Sequence, residues 1–446
     1  MNFSDTKLIV EEPFDSEEEE IVTEENIETV LDDIYSNNSQ ELFNGLHLLR
    51  VYLSKEEMMD QERIFTESVL KRLVELLSSQ LKAVQFESVW VLTNLAADNS
   101  NDLSVLIDQG VCDPLIKLLD CKDHYLVQQS MWALTNLALD SNQIRGCLFK
   151  GKIVEPLLDL WSRVQKQPKF LIEDLIKLSF ALSIETSNSH WNLMKDLLDP
   201  ICEFFQSFDL SNKMDKYILE FLLQMAKCNS TTIEKIISYK LCKKLVHCLQ
   251  SEKMKKMKTS IQIFSRISTH QSDYKQEIID SGLLKILDIL SNHPIRMIQK
   301  EIIWIITNLA QGTDFQIQKL FDYKIFESLM QSLLNQNKII SSQILYVFLQ
   351  ILEKDNDLFS YQLFQLGLIP QFTKFIKSCK AQVLIVLALK GIELLFISSD
   401  TWFLPNQTNH VKRQFRESGG TVILDSLLNS LNSNFLNQIS NLKQYL

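Results

Sequence analysis

Three pairs of Trp and Asn, each four residues apart, are the side chains in this sequence whose types and spacing could act on a ligand. Residues four apart lie on the same face of a helix, one turn from each other. The Asn amide offers both a donor and an acceptor, which suits the main chain of an extended peptide. Trp rings can form slots for the aliphatic stems of Lys or Arg, with a cation–π attraction of about 0.5–2 kcal/mol each. The pairs are Trp90/Asn94, Trp132/Asn136 and Trp304/Asn308.

Acidic side chains follow the first two pairs closely, at Asp98, Asp102 and Asp140. Carboxylates between the Trp slots would select positively charged heads, so the pattern predicts a surface that binds a basic peptide. The alternative is that Trp and Asn only pack the core between neighbouring units. Three pairs in phase favour the binding surface.

No other arrangement of side chains in the sequence supports catalysis or metal binding. The sequence contains no G-x-x-x-x-G-K-[ST], G-x-S-x-G or H-E-x-x-H motif, and its eight cysteines form no C-x-x-C pair. His247 beside Cys248 comes nearest to a metal site, and ordinary packing is the expected role of both. We therefore expect reduced thiols, no cofactor, no metal and no enzymatic activity.

The Trp–Asn pairs belong to an internal repeat of about 42 residues. The segment Trp90-Val-Leu-Thr-Asn-Leu-Ala returns in closely similar form at Trp132 and at Trp304. A second landmark, usually a Gly or Lys before an apolar run, recurs in steps of 42 to 44 residues. A landmark residue between two helices is a place for left-handed backbone conformation. The landmark column comprises Gly110, Lys152, Asp196, Lys240, Gly282, Lys324 and Gly367.

Apolar residues within each repeat follow the spacing of helices, as Ile302, Ile303, Ile306 and Leu309 do. Gly and Pro are sparse, at 10 and 8 of 446 residues, which also favours helices over strands and turns. A helical repeat of this length is typical of armadillo or HEAT units, which stack into a solenoid. The sequence therefore predicts an all-α fold, a right-handed superhelical solenoid of about nine to ten armadillo repeats.

Over roughly residues 45–446 the sequence resembles importin-α, the armadillo-repeat adaptor for nuclear import. The resemblance rests on the Trp–Asn elements and on the landmark Gly110-Val-Cys-Asp-Pro-Leu. Leu241-Cys-Lys-Lys-Leu-Val is similar to the family's fifth repeat, and Phe415-Arg-Glu-Ser-Gly-Gly resembles its closing repeat. The resemblance implies a receptor for Lys/Arg-rich nuclear localisation peptides, present in cytoplasm and nucleus, whose partners are the proteins that carry such peptides.

The resemblance also implies which residues would bind the peptide, in a larger and a smaller site. The larger site would comprise Trp90, Asn94, Gln129, Trp132, Asn136 and Asp140, and the smaller site Glu301, Trp304 and Asn308.

The sequence departs from the family's pattern beside both sites. Extrapolating the Trp and Asn columns places Phe180 and Ile184 at the third position of the larger site, so one peptide clamp would be lost. At about 1 kcal/mol for a missing hydrogen bond, affinity there would fall about fivefold to tenfold. Near the smaller site, Gln262 stands where the family has Arg, and Lys390 adds a charge that would repel a basic peptide. We expect weakened or altered recognition.

The N-terminus departs further, because its first 35 residues hold 13 acidic side chains and one base, Lys7. The other 411 residues hold 43 acids and 44 bases. The family's N-terminal segment is basic and docks on importin-β, so importin-β docking is doubtful for this chain. We expect residues 1–40 to form an acidic, disordered tail and residues 41–446 to form the solenoid, with a capping repeat at about 411–446.

Composition indicates a chain that buries a large core, at 46% apolar and 23% charged residues. No apolar run approaches the roughly 18 residues that would span a bilayer, and the first residues lack the features of a signal peptide. We therefore expect a soluble, intracellular chain without membrane insertion. The nearly neutral body carries no basic footprint for nucleic acid.

Two functions of different classes fit the sequence. One is a nuclear import adaptor that binds basic peptides in a concave groove. The alternative is a non-transport armadillo scaffold for protein–protein assembly, for example cytoskeletal or ciliary. The retained pairs at Trp90, Trp132 and Trp304 favour the adaptor, and the missing basic segment favours the scaffold.

Overall fold

A computed structural model of the protein describes residues 26–54, 61–98, 102–185, 188–208, 212–334, 337–354, 356–402, 409–428 and 433–446. Within these ranges the chain forms 29 α-helices and two 3₁₀ turns, Val164–Lys166 and Lys195–Leu197, and it contains no strand. In chain order the helices are α1 (Ile27–Asp33), α2 (Ser39–Tyr52), α3 (Gln61–Ile64), α4 (Glu67–Leu76), α5 (Lys82–Ala97), α6 (Ser104–Asp108), α7 (Cys112–Leu118), α8 (His124–Asp140), α9 (Asn142–Lys150), α10 (Val154–Ser162), α11 (Lys169–Ser183), α12 (Asn188–Met194), α13 (Leu198–Ser207), α14 (Asn212–Cys228), α15 (Thr231–Ser238), α16 (Cys242–Leu249), α17 (Met254–Ser268), α18 (Ser272–Asp280), α19 (Leu284–Ser291), α20 (Arg296–Ala310), α21 (Asp314–Asp322), α22 (Ile325–Leu333), α23 (Lys338–Leu352), α24 (Asp357–Gln365), α25 (Leu368–Ser378), α26 (Gln382–Trp402), α27 (His410–Glu417), α28 (Gly420–Leu428) and α29 (Ser433–Gln444).

The helices recur in groups of three, two short ones followed by a long one that we call the third helix of its repeat. From α5 to α26 the third helices contain 15 to 21 residues. Each has one buried face; in α8, for example, Val127, Met131 and Leu134 are buried at helical spacing. The expected all-α fold built from helical repeats is therefore confirmed.

The chain divides into two compact units, residues 1–239 (unit 1) and 240–446 (unit 2). In unit 1 the long helices α2, α5, α8, α11 and α14 pack side by side, each against the next. In unit 2 the third helices α17, α20, α23 and α26 do the same. Because each third helix covers its neighbour, each unit has a continuous apolar core with one row of long helices along it.

Six of the seven landmark residues adopt the left-handed conformation expected of them. Gly110, Gly282 and Gly367 have φ of 76°, 88° and 88°, and Lys152, Lys240 and Lys324 have φ of 61°, 52° and 57°. Asp196 is the exception, because the 3₁₀ turn Lys195–Leu197 leads straight into α13 and the chain needs no left-handed residue there. The repeat period thus corresponds to one sharp turn in each of these repeats.

The folded body begins earlier than the expected boundary at residue 41. Helix α1 starts at Ile27, and Ile27, Val30, Leu31 and Ile34 are buried against the rest of unit 1. The reason is that a short apolar pattern at 27–34 lies within the acidic segment, and α2 covers it. Residues 1–25 of the expected tail lie outside the described residues.

Helix α26 corrects the expectation that no segment is long enough and apolar enough to span a bilayer. Its 21 residues pass that test by length and composition, because a few polar side chains interrupt the apolar run without shortening the helix. In unit 2, α26 packs against α23, α24, α25 and α29, and 56% of its most apolar window is buried. Its apolar surface therefore serves the core of the repeat stack.

Candidate functional site

The three candidate Trp residues share one position on their helices, nine residues after the N-cap residue. The N-cap and Trp residues are Leu81/Trp90 on α5, Asp123/Trp132 on α8 and Ile295/Trp304 on α20. The Asn of each pair lies one turn later, so the structure keeps the common register that the sequence predicts. Trp90 and Trp132 belong to unit 1, and Trp304 belongs to unit 2.

Trp90 and Trp132 lie at the same register on α5 and α8, which pack side by side. Axes of packed helices are about 8–10 Å apart, and a methylene chain in contact with two carbon surfaces needs about 7–8 Å between them. Both rings are half-buried. Two rings at one register on adjacent helices are the arrangement that a slot for the aliphatic stem of one Lys or Arg requires.

The amide groups of the Asn residues bond first to the chain itself. Asn94 Nδ2 donates to the carbonyl oxygen of Arg50 at 3.3 Å, and Asn136 Nδ2 donates to that of Thr93 at 3.1 Å. Both Asn side chains are almost fully buried. Each amide thus links its third helix to the preceding long helix. This is the alternative role considered above, in which the Asn residues pack the core between neighbouring repeats.

Asn308 and Gln129 make similar ties. Asn308 Nδ2 donates to Ser268 Oγ at 3.0 Å, across the α17–α20 contact. Gln129 Nε2 donates to Thr93 Oγ1 at 2.9 Å, and its side chain is 3% exposed. Gln129 therefore positions α8 against α5, and its amide nitrogen already has a partner.

Two polar atoms beside the Trp90–Trp132 pair have no hydrogen-bond partner within the described structure. They are Asn94 Oδ1, an acceptor, and Trp132 Nε1, a donor, and both are buried. An unsatisfied buried polar group costs about 1–3 kcal/mol, so a ligand that pairs with it recovers that cost. An extended peptide main chain carries one N–H and one C=O per residue, which matches one acceptor and one donor.

A cation of the chain itself covers one face of Trp90. The Arg50 guanidinium carbon lies 4.1 Å from the centroid of the ring, and Arg50 Nε forms an ion pair with Glu87 Oε2 at 2.7 Å. Arg50 and Glu87 are both buried. Sequence analysis missed Arg50, because the contact joins positions on different repeats with no shared motif.

The carboxylates expected near the slots differ in their surroundings. Asp140 at the end of α8 is exposed. Burial lowers the pKa of Arg145, and the negative charges of Glu185 and Asp140 partly offset this effect. Hydrogen bonds from the hydroxyl and the backbone of Ser104 lower the pKa of the exposed Asp102. Asp102 is therefore charged at neutral pH and can attract a basic ligand.

The third slot of the larger site differs from the extrapolation to Phe180 and Ile184. Phe180 is 5% exposed in the core, and Ile184 follows the end of α11. Counted from the N-cap Pro168, the position of Trp132 corresponds to Lys177 in α11. This repeat is 45 residues from N-cap to N-cap, whereas the extrapolation to Phe180 takes a step of 48 residues from Trp132 and so overshoots by three. Pro168 marks the start of the helix and could have fixed the register.

Lys177 closes the third slot. Its Nζ lies 3.3 Å from Glu173 and 3.1 Å from Asp174, and Gln128 Nε2 from α8 also donates to Asp174 at 2.9 Å. Burial lowers the pKa of Lys177, but Asp174 and Glu173 more than offset it, so the pKa is raised. Arg50 and Lys177 therefore flank the Trp90–Trp132 pair, and each is paired with carboxylates of the chain itself.

The smaller expected site in unit 2 is more open than the larger one. Trp304 is 44% exposed, and Tyr346, at the same register on α23, is 51% exposed. Glu301 is the one acid of α17, α20 and α23, whereas these three helices contain seven Lys or Arg residues. The charges around Glu301, Trp304 and Asn308 thus do not favour a basic ligand.

The cysteines lie apart from these surfaces. Burial raises the pKa of the Cys112, Cys202 and Cys242 thiols to about 12, so they are neutral and poor nucleophiles. Cys248 is buried whereas its neighbour His247 is exposed. The two side chains therefore lie on different sides of their helix and do not form the metal site that the sequence suggested as a possibility.

Comparison with known proteins identifies the repeat type. The family model for Armadillo/beta-catenin-like repeat matches residues 62–97 and 99–139. The chain is 31% identical to Importin subunit alpha-3 of Arabidopsis thaliana over 87 residues, which cover 19% of this chain and 16% of that protein. A crystal structure of an engineered protein superimposes with a TM-score of 0.73 at 18% identity, covering 94% of this chain and 98% of that one, which concerns the fold alone. The chain therefore contains armadillo/β-catenin-like repeats within an all-α solenoid fold.

Proposed function

We propose that the protein binds short Lys/Arg-containing peptides between Trp90 and Trp132 in unit 1, as an adaptor of the importin-α kind. The observation that carries the proposal is the coincidence of two Trp rings at one register with an unpaired acceptor, Asn94 Oδ1, and an unpaired donor, Trp132 Nε1. The rings accommodate one basic side chain, and the two polar atoms accommodate one residue of peptide main chain. Asp140 supplies nearby negative charge.

Recognition in unit 1 is narrow in this proposal. Arg50 covers the far face of Trp90, and Lys177 occupies the next position after Trp132. These two side chains already fill the positions on either side of the pair and are held there by ion pairs, so the site takes one Lys or Arg. Single-slot binding gives lower affinity than a row of slots, because each cation–π contact contributes about 0.5–2 kcal/mol.

The import role is supported by the partial likeness to Importin subunit alpha-3 and by the Trp–Asn register. Residues 1–35, with 13 acids and one base, do not complement a surface that accepts a basic segment, so we propose that they do not dock on importin-β. A pull-down in which residues 1–40 retain importin-β would contradict this part of the proposal.

A non-transport scaffold is the second candidate, and the buried Asn amides favour it. Asn94, Asn136 and Asn308 each donate to the preceding long helix, so the pairs have a structural role even without a ligand. In that case the row of third helices would bind partners of other chemistry.

The deciding experiment is titration of a fluorescent basic localisation peptide against the full chain by anisotropy. Replacing Trp90 and Trp132 by Ala together should weaken binding by about tenfold or more, because two cation–π contacts are lost. Trp304→Ala is the matched control, since it removes a Trp of the same register from unit 2 and should leave this affinity unchanged.

Asp140→Asn should weaken the same complex severalfold at low salt and less at high salt, because an exposed charge is screened. If the natural chain binds no basic peptide and the double Trp variant unfolds at a lower temperature, the pairs are packing elements and the scaffold is correct.

A further inference from the structure

The exposed side of α17, α20 and α23 in unit 2 carries a large excess of positive charge. These helices contain seven bases and one acid, whereas the corresponding helices α5, α8 and α11 of unit 1 contain three bases and four acids. Six of the bases are exposed or half-buried, and none of the six forms an ion pair within the described ranges. They are Lys255, Lys258, Arg266, Arg296, Lys300 and Lys338. We call this side of the three helices the basic face.

Apolar and aromatic side chains lie among these bases on the basic face. Met297 is 40% exposed and Ile339 is 61% exposed, each two residues after the N-cap of its helix, and Trp304 and Tyr346 follow seven residues later. Lys258 from α17 lines one shallow cleft together with Met297 and Glu301 from α20, so one acid lies among the bases there. The basic face therefore offers apolar contact area within a positive field, not charge alone.

Two buried acceptors on α23 lack partners within the described structure. They are Gln343 Oε1 and Gln350 Oε1, which lie three residues before and four residues after Tyr346 on the same side of the helix. Each needs an N–H donor. A peptide main chain supplies such donors at regular intervals, whereas a phosphate backbone has none.

We propose that the basic face binds an extended acidic peptide of a partner protein, with Asp or Glu alternating with apolar residues. Carboxylates would pair with the six bases, apolar side chains would pack on Met297, Ile339, Trp304 and Tyr346, and main-chain N–H groups would donate to Gln343 and Gln350. Charge complementarity selects an acidic partner, and the apolar surface and the two acceptors select a peptide over a nucleic acid.

The probe is a fluorescent acidic peptide of about ten residues with apolar residues at alternate positions. Three neighbouring helices span about 20 Å, which about six extended residues cover, so this length suffices. Binding to the full chain is measured by anisotropy at low and high salt. Three comparison ligands are the same peptide with Gln and Asn for Glu and Asp, a basic peptide, and a single-stranded oligonucleotide of similar length.

The double substitution Lys258→Glu and Lys300→Glu should weaken binding of the acidic peptide at least tenfold at low salt. Lys117→Glu with Lys150→Glu is the matched control, because both are exposed in unit 1 and the net charge changes equally. The control should change affinity less than twofold. The double substitution Trp304→Ala and Tyr346→Ala should weaken binding of the acidic peptide severalfold at both salt concentrations, because salt does not screen apolar contacts.

The proposal fails if the neutral peptide binds as tightly as the acidic one, if the control pair of substitutions has the same effect as the pair on the basic face, or if no acidic peptide binds. Tighter binding of the oligonucleotide, lost in the Lys258/Lys300 variant, would instead make the basic face a nucleic-acid surface. Loss of basic-peptide binding in the Trp90/Trp132 variant leaves this proposal untouched, because those residues lie in unit 1.

Discussion

The guanidinium carbon of Arg50 lies 4.1 Å from the centroid of the Trp90 ring, while Arg50 Nε bonds to Glu87 at 2.7 Å. The chain thus places its own cation where a ligand cation would otherwise stack. Arg50 Nη2 also approaches His47 Nδ1 at 2.9 Å, so the guanidinium is held from three sides. The arrangement orients Trp90, whose ring also makes an edge-to-face contact with Phe86 at 5.6 Å between centroids.

Removing one partner of the buried Arg50–Glu87 pair should strongly destabilise unit 1. Arg50→Met keeps much of the side-chain volume but leaves the Glu87 carboxylate buried without its partner, and we expect a loss of about 3–5 kcal/mol. Replacing both residues by apolar ones should cost less than Arg50→Met alone. Urea unfolding measures both variants; Arg63→Ala is the control, because its ion pair with Glu28 is largely exposed and should contribute under about 1 kcal/mol. If Arg50→Met and Arg63→Ala lowered the free energy of unfolding equally, the Arg50–Glu87 pair would not be a buried ion pair of the kind described.

Replacing a left-handed Lys by Gly should stabilise the protein. A left-handed residue with a Cβ atom is strained by about 1–2 kcal/mol, and Lys324→Gly removes this strain. Because Gly also raises the entropy of the unfolded chain, the net increase in the free energy of unfolding should be up to about 1 kcal/mol. Gly282→Ala should lose a similar amount through backbone strain alone, since no atom lies within 4 Å of the added Cβ. Asp196→Gly is the matched control and should destabilise, because Asp196 is not left-handed. Thermal midpoints give the sign of each change.

Two helical glycines should respond in opposite directions to Ala. A Cβ at Gly391 would lie 2.6 Å from Phe372 Cε2, so Gly391→Ala should cost about 1–3 kcal/mol as α26 is pushed away from α25. Gly146 in α9 has no atom within 4 Å of the added Cβ, and Gly146→Ala should gain about 0.5–1 kcal/mol of helix stability. Circular dichroism during urea titration distinguishes them. A gain at Gly391 would show that the contact with Phe372 is loose.

Stability should fall as the pH rises above about 9, through the buried thiols. The pKa of Cys112, Cys202 and Cys242 is raised to about 12 in the fold from an ordinary value of 9.0. The unfolded chain therefore releases protons first, and each thiol's contribution is complete below pH 9 and is lost as the pH rises toward 12, by about 1.4 kcal/mol per pH unit.

Urea unfolding between pH 8 and pH 9.5 measures the onset of this slope, below the pKa of about 10 at which Tyr side chains ionise. Cys202→Ala should make the slope shallower, because one buried thiol no longer contributes to it. Gly146→Ala, which removes no ionisable group, serves as the comparison and should leave the slope unchanged. An unaltered slope in Cys202→Ala would mean that the thiol is not kept neutral by burial.

The sequence predicts the fold well because repeat period, helical spacing and turn residues agree at most positions. The landmark column located six left-handed residues, and it failed only at Asp196, where a 3₁₀ turn replaces the sharp junction. The site was predicted less completely. Extrapolation of the Trp column overshot Lys177 by three residues, because this repeat has no Trp–Asn pair to fix its register. Contacts such as Arg50 on Trp90 depend on how repeats stack, which no local pattern records.

Helix α26 has a consequence for the synthesis of the chain. Translation proceeds from the N-terminus, so α26 follows its neighbours α23, α24 and α25 out of the ribosome but precedes α29, which also covers it. Until α29 arrives, a segment that could pass for a membrane anchor is incompletely shielded from targeting factors and chaperones. A message truncated after codon 402 would therefore yield a product prone to mislocalisation and degradation, although every residue of the peptide-binding surfaces would be present.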